Sequence, residues 1–170
     1  KKFKELFAKP YLKGVNAVQV LQFHGVYATI ADQAKEHDID LIVMGSHGDS
    51  GVHEVFIGSN TEKVVRLADC PVLTVKPGMP EFEPKSIVFA SNFLGEAADN
   101  FQALHEVMRI WDVKIHLVKV VTPDQFERTE KAMHLIDSFA EEVGLKAYEA
   151  HIVNEQTIEG GIIWISQKLD

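Results

Sequence analysis

The sequence predicts an α/β protein: an open, doubly wound parallel sheet of about five strands with helices on both faces. Two observations predict it. Short apolar, β-branched runs alternate with helical stretches of ten or more residues, and this alternation is typical of right-handed βαβ units. The segment Asp40–Met44 is mostly apolar and ends at Gly45, which is the pattern of a strand buried on both faces of a parallel sheet.

The first half begins with helix and strand signals in turn. Val15–Phe23 is rich in β-branched residues in partial alternation, which predicts a strand. Tyr27–His37 places Ile30, Ala31 and Ala34 at helical spacing and predicts a helix. The other elements predicted here are a helix tail at Lys1–Ala8, the strand Asp40–Met44, a glycine-containing loop at Ser46–Ile57, a helix at Ser59–Ala68 and a strand at Pro71–Val75.

The second half resumes the alternation with a buried strand at Ser86–Ala90. The helix predicted at Glu96–Trp111 carries an apolar stripe that includes Phe101 and Met108, which is typical of a core-facing surface and not of a cofactor site. The remaining predicted elements are a strand at Lys114–Val121, a long helix at Asp124–Val143, a strand at Leu145–Val153 and a helix at Gly160–Leu169.

The segment Pro77–Lys85 holds three prolines and one glycine in nine residues, which predicts a linker. We therefore divide the chain into residues 1–78, a linker at 79–85 and residues 86–170. A slight internal repeat agrees with this division, because the Gly-x-x-Ala pattern at Gly14 recurs at Gly144. The chain begins at Lys1 and not at Met, so we expect the natural protein to extend beyond both ends.

Composition excludes several classes of protein. Asp and Glu total 25 against 17 Lys and Arg, a net charge of −8, which argues against nucleic acid and anionic membrane surfaces as partners. The longest apolar runs are far shorter than the roughly 20 residues of a membrane span. Cys70 is the single cysteine, which excludes an intrachain disulfide and favours a reducing compartment such as the cytoplasm.

The segment most informative about function is Met44–Gly48, followed after nine residues by Gly58–Asn60. Gly45 follows a central strand at the carboxyl edge, where open α/β sheets bind ligands. Backbone N–H groups there, and at the helix that Gly58 and Ser59 begin, favour an anion such as phosphate. These two donor clusters can hold a polyphosphate without a Walker lysine. The alternative is a capping box, in which Ser59 caps the helix and Glu62 bonds back to it.

These motifs resemble the C-terminal half of a universal stress protein domain. The pattern G-x2-G-x9-G-(S/T) marks the ATP-binding branch of that family, and Gly45, Gly48, Gly58 and Ser59 match it without a gap. The resemblance covers about residues 15–76 and includes the Cys-Pro-Val strand that begins at Cys70. Residues 84–170 resemble, more loosely, the N-terminal part of a second such domain. The resemblance implies a Rossmann-like, adenine-nucleotide alpha-hydrolase type of fold and a piece of a tandem member.

What the resemblance implies about function is the binding of ATP or another adenine nucleotide by a cytoplasmic stress sensor or regulator. A homodimer or a tandem pseudo-dimer is the expected assembly. Asn92 stands where the family usually has an acidic residue that contacts adenosine, so it can bond a ribose but adds no charge and no metal ligand. The nucleotide-binding residues expected are Met44, Gly45, Ser46, His47, Gly48, Gly58, Ser59, Asn60 and Asn92.

The sequence favours binding over catalysis. No residue stands out as a general base, and no carboxylate pair beside the loop suits Mg²⁺, so we expect no catalytic residue, no bound metal and at most slow ATP hydrolysis. Gly48–Gly51 is similar to the nucleophile tetrapeptide of trypsin-like proteases, but those proteases are all-β. His47 and His53 share a loop without a zinc-binding spacing. The second-half histidines are scattered and predict no site: His105, His116, His134 and His151.

A different class of function is a dimerisation or scaffold module of the same fold, in which the glycines only form turns and no nucleotide binds. The start of the helix at Gly58–Ser59 discriminates between the two. A helix start filled by side chains favours the scaffold, and an open one favours the nucleotide sensor.

The two halves also predict a shared sheet. A lone half would leave Asp40–Met44 with an unpaired edge. The nine residues of the linker can reach about 30 Å when extended. We therefore predict that Ser86–Ala90 pairs with Asp40–Met44, within one chain or between two chains of a swapped dimer. Asn92 would then face the Gly45 and Gly58 loops across one sheet.

Overall fold

The computed structural model describes residues 2–21, 26–46, 58–76, 78, 82–109 and 111–169. Within them the first half contains helix α1 (Lys2–Phe7), helix α2 (Val26–Glu36), strand β1 (Ile42–Gly45), helix α3 (Ser59–Leu67) and strand β2 (Val72–Val75). The second half contains β3 (Ser86–Ala90), α4 (Ala97–Met108), β4 (Lys114–Val121), α5 (Thr129–Glu142), β5 (Glu149–Asn154) and α6 (Ile158–Leu169). Short 3-10 turns lie at Pro10–Leu12 and Pro123–Gln125.

All strand pairs among the described residues are parallel, which confirms the α/β class. They form two sheets, one of two strands in the order β1-β2 and one of three strands in the order β3-β4-β5. In the second sheet, Ser86 is paired with Lys114 and His116 with Glu149. Helices connect successive strands in each half, as parallel pairing requires.

The prediction that Ser86–Ala90 pairs with Asp40–Met44 inside one chain is wrong. Along its whole length β3 is hydrogen-bonded to β4, and the partner of β1 is β2. The two strands lie in separate sheets, because each pairs with the next strand of its own half across a helical connection, as consecutive βαβ elements usually do. Asn92 is therefore not placed across one sheet from Gly45 and Gly58. Pairing between two copies of the chain stays a prediction.

The strand predicted at Val15–Phe23 is also not found over residues 15–21, which have no regular structure; residues 22 and 23 lie outside the described residues. Its counterpart in the internal repeat is β5, which follows Gly144 and pairs with β4. Gly14 and Gly144 both adopt a left-handed turn, with φ of 88° and 69°. A strand needs a neighbour, and among the described elements of the first half nothing corresponds to β4.

The two halves differ in the size of their hydrophobic cores. Ala34, Ile42 and Val64 form a small core between α2, β1 and α3. Val43, on the other face of β1, is 59% exposed, so the expectation that this strand is buried on both faces is wrong. The second half has a core on each face of its sheet. The larger of the two contains Phe93, Phe101, Leu117, Ile136 and Phe139, and the smaller contains Val118, Val153 and Ile165. In the described part of the chain no helix has the length and apolarity that crossing a bilayer requires.

Candidate functional site

The end of β1 and the start of α3 are held together by backbone hydrogen bonds. The Gly58 N–H donates to the Ser46 carbonyl at 2.8 Å, and the Ser46 N–H donates to the Val75 carbonyl at 2.9 Å. The buried Thr61 hydroxyl donates to the Gly45 carbonyl at 3.1 Å. The strand end and the first turn of the helix therefore form one connected corner at the carboxyl edge of the small sheet.

The amino end of α3 is open among the described residues. Gly58 is the N-cap, and it has no side chain to bond the N–H groups of the first turn. Glu62 does not bond back to the helix start; its carboxylate accepts from the Arg66 guanidinium at 3.2 Å. The capping box centred on Ser59 is therefore wrong, because Ser59 is the first residue inside the helix. The free N–H groups and the positive end of the helix dipole suit an anion.

The structure brings most of the first-half site residues to this corner. Gly45, Ser59 and Asn60 are exposed there and Gly58 is half-buried. Ser46 is buried. The Met44 side chain packs against the small hydrophobic core formed by Ala34, Ile42 and Val64, so Met44 contributes to the packing of β1. His47 and Gly48 lie outside the described residues.

Asn92 lies in a tight turn after β3, at the carboxyl edge of the other sheet. Its side-chain oxygen accepts from the Leu94 N–H at 2.9 Å, and the following residue, Phe93, is buried with a left-handed φ of 60°. The Asn92 carboxamide is exposed beside a cavity of about 310 Å³. That cavity is lined by Ala90, Asn92, Lys119, Gln125, Ile158 and Ile162, among others.

Lys119 anchors this turn, and the sequence analysis missed it. Its buried ammonium donates to the Asn92 carbonyl at 3.0 Å and lies 3.3 Å from the Glu127 carboxylate. Glu127 is also paired with Lys131 at 2.9 Å. The one signal in the sequence was a lysine within the otherwise apolar end of Lys114–Val121, where an uncompensated charge is costly and therefore needs a partner.

We expect the Glu127 ion pairs to make the stability of the second half pH-dependent. Hydrogen bonding from Lys131, and then the Lys119 ammonium, lower the pKa of Glu127 below its ordinary 4.5. Because the folded state then binds fewer protons than the unfolded state, the stabilisation is present above about pH 4.5 and is lost as the pH falls through the folded pKa. Glu127→Gln should thus be less stable than the parent at pH 7, and the difference should shrink below pH 4.5.

Urea unfolding followed by tryptophan fluorescence measures this, because both tryptophans, Trp111 and Trp164, lie in the second half. Glu130→Gln is the matched control, since Glu130 is exposed and paired with an equally exposed Arg128. A difference between Glu127→Gln and the parent that is the same at pH 7 and pH 3.5 would contradict the prediction.

The comparisons with known proteins point to one family. The Universal stress protein family model matches residues 3–76. Universal stress protein YxiE of Bacillus subtilis is 42% identical over 64 residues, which are 38% of this chain and 43% of that protein. Universal stress protein MJ0531 of Methanocaldococcus jannaschii is 38% identical over 65 residues, which are 38% of this chain and 32% of that protein.

Solved structures extend the likeness to the second half. A crystal structure of a universal stress protein from Archaeoglobus fulgidus matches with a TM-score of 0.70 and 18% identity, over 98% of this chain and 61% of that one. A Pseudomonas aeruginosa structure described as the same kind of protein matches with a TM-score of 0.71 and 20% identity, over 99% and 63%. At these identities the likeness concerns the fold. The chain spans less than half of each of the two curated relatives and about three fifths of the two solved chains.

Proposed function

We propose that the chain, whose residues 3–76 match the Universal stress protein family model, belongs to that family, and that within the stress response it binds an adenine nucleotide, with ATP as the first candidate. The observation that carries the proposal is the open start of α3 beside the end of β1, joined by the 2.8 Å hydrogen bond from Gly58 to Ser46. Phosphate groups are the anions that such a corner suits best, because the N–H groups in the first turn of α3 and the helix dipole point at one place. The N–H groups of Ser46 and Gly58 are used in the corner's own hydrogen bonds. The proposal assigns the phosphates to Gly45, Ser46, Gly58, Ser59 and Asn60, with His47 and Gly48 in the connecting loop.

Asn92 enters the proposal as the contact of a nucleoside in the second half. Its carboxamide borders the 310 Å³ cavity at the carboxyl ends of β3 and β4, where open α/β sheets bind ligands. The side-chain oxygen is already bonded to Leu94, so the amide nitrogen is the group left to donate to a ribose hydroxyl. Two partial sites, one in each half, replace the single mixed site predicted from the sequence.

We propose a sensor or regulator and not an enzyme. Among the described residues, the acidic side chain in the first turn of α3 is that of Glu62. It is paired with Arg66, so it is a poor candidate for a metal ligand or a base. A cytoplasmic location and a homodimer or tandem pseudo-dimer complete the proposal.

The test is Gly58→Val with ATP binding measured by calorimetry. Gly58 has φ −57° and ψ 142°, which valine adopts without strain, so the substitution adds bulk at the helix start at a cost of about 1 kcal/mol for the poorer N-cap. We expect ATP binding to be lost while far-UV circular dichroism stays native. Leu67→Val, at the exposed far end of the same helix, is the matched control and should bind as the parent does. Unchanged affinity in folded Gly58→Val would place the site elsewhere.

Native mass spectrometry of protein purified without added nucleotide separates this function from the scaffold alternative. A mass increment equal to intact ATP supports a binding protein. A chain that carries no nucleotide and binds none in calorimetry supports the scaffold. Turnover in the usual enzyme range of about 1 to 1,000 per second would contradict the proposed absence of catalysis.

A further inference from the structure

Two histidines and a glutamate converge at the amino ends of β4 and β5. The Nδ1 atom of His116 lies 3.0 Å from the Nε2 atom of His151. The Glu149 Oε2 atom lies 3.4 Å from the first nitrogen and 3.9 Å from the second. Among the described residues this is the one cluster of three His, Cys, Asp or Glu side chains close enough to share a metal ion.

Parallel strand register, and not sequence spacing, brings these groups together. His116 is paired with Glu149, and Val118, two residues along β4, is paired with His151. Residues two apart on a strand share a face, so Glu149 and His151 present their side chains to the same side of the sheet as His116. The two histidines are 35 positions apart in the chain and a whole helix lies between them, which is why no motif in the sequence predicts a site here.

The three distances suit a tetrahedral ion. Ligand atoms about 2.0–2.2 Å from zinc lie about 3.3–3.6 Å from one another in a tetrahedron, and the observed separations of 3.0, 3.4 and 3.9 Å bracket that range. We propose that His116, His151 and Glu149 bind a zinc ion, with water as the fourth ligand. In the hydrogen bond between the two rings one of the facing nitrogens carries the proton, so metal binding requires that ring to adopt its other tautomer, which leaves a lone pair on both facing nitrogens.

The surroundings favour the same assignment. His116 is buried, with 3% of its side chain exposed, whereas Glu149 is 45% exposed. One side of the site therefore lies in the protein interior, and an ion can enter from the solvent on the side of Glu149. Lys114 is bonded to the other carboxylate oxygen at 2.6 Å, and this contact directs Oε2 toward the imidazoles. The Lys114 and Lys168 ammonium groups oppose the ion's charge and limit the affinity.

The ion would tie β4 to β5 at the edge of the sheet opposite Asn92. His116 is the third residue of β4 and Glu149 the first of β5, whereas Asn92 follows the carboxyl end of β3. Zinc binding is therefore independent of nucleotide binding, and each proposal can fail without the other.

The experiment is a Zn²⁺ titration of the nucleotide-free chain against a chromophoric chelator, with Co²⁺ as the spectroscopic probe of geometry. We expect one tight site, and a Co²⁺ absorption spectrum typical of tetrahedral coordination by nitrogen and oxygen. Loss of an outer-sphere partner weakens metal sites about 10- to 100-fold, so loss of a direct ligand in His151→Ala should weaken the tight site by about 100-fold or more. Glu149→Gln, which keeps the shape of the side chain, should also weaken it and change the Co²⁺ spectrum.

His134→Ala is the matched control, since it also removes one imidazole from the second half. His134 is exposed on α5, where its ring is bonded to Ser138 at 3.2 Å, and its loss should leave the titration unchanged. Tryptophan fluorescence and circular dichroism establish that each variant is folded. A parent chain that does not compete with the chelator overturns the proposal. So does a tight site that survives unchanged in folded His151→Ala and Glu149→Gln, because the ion then binds to other ligands.

Discussion

Replacing Phe139 by alanine is expected to lower the free energy of unfolding of the second half by about 3–5 kcal/mol, the usual cost of emptying a buried aromatic position. Phe139 on α5 is 2% exposed. Its ring is stacked on Phe89 at 5.5 Å between centroids and meets the edges or faces of Phe93 at 5.1 Å and Phe101 at 5.5 Å. Alanine would remove all three ring contacts at once and leave a cavity among rigid aromatic neighbours, which cannot collapse to fill it.

The measurement is urea unfolding followed by tryptophan fluorescence, which reports on the second half. Phe126→Ala is the matched control, because Phe126 is 79% exposed and the same truncation there removes little buried surface. We expect its unfolding midpoint to stay close to that of the parent. Equal losses of stability in the two variants would mean that the aromatic cluster is not the core of this half.

The aromatic cluster also explains why the second half was the easier half to predict. The predicted bounds of Ser86–Ala90 and Lys114–Val121 match β3 and β4 residue for residue, because both strands have a parallel neighbour and a covered face. In these strands the local pattern and the tertiary contacts agree. Helix ends were predicted less well: the segment predicted as one helix, Asp124–Val143, contains the end of a separate 3-10 turn at Pro123–Gln125, and its α-helix begins only at Thr129.

The first half shows what a local pattern cannot supply. Val15–Phe23 has the composition of a strand, yet over residues 15–21 no strand forms, and Val15, Val18, Val20 and Leu21 are exposed. Strand formation depends on a hydrogen-bonding partner, and composition gives the propensity without the partner. The same limit applies to the predicted shared sheet, because free edges indicate that β1 and β3 can pair but not with which strand.

The two candidate sites also differ in how far the sequence could predict them. The position of the Gly45–Ser46 and Gly58–Ser59 corner was predictable because it follows from where a strand ends and a helix begins, and its binding of a nucleotide stays a prediction. The His116, Glu149 and His151 cluster was not, because it depends on the register between two strands that a helix separates. Lys119 was missed for a related reason: its partners, the Asn92 carbonyl and Glu127, lie 27 and eight residues away along the chain.

Gly161 is the point of closest approach between α6 and the sheet. A Cβ added there would lie 2.6 and 2.8 Å from the two methyl groups of Val120 on β4, closer than carbon atoms can pack. Valine is branched at Cβ and restricted to few rotamers on a strand, so it cannot move its methyl groups aside cheaply. The helix must therefore move away from the sheet, which would loosen the packing of Ile165 against Val118 and Val153.

Gly161→Ala is thus expected to destabilise the second half although alanine is the better helix former. Overpacking costs about 1–3 kcal/mol against a gain in helix propensity of about 1 kcal/mol. Because the added Cβ lies as close as 2.6 Å to Val120, we expect a cost in the upper part of that range and a net loss of up to about 2 kcal/mol in urea unfolding. Gly160→Ala, one residue earlier, is the control, because its Cβ would lie 3.0 Å from the Thr157 hydroxyl and 3.4 Å from the Glu155 side chain, farther than the Val120 methyl groups are from a Cβ at Gly161. The double variant Gly161→Ala with Val120→Ala should be less destabilised than the sum of its single variants, since removing the valine methyl groups removes the clash. Additive losses would show that the helix and the strand do not meet at this glycine.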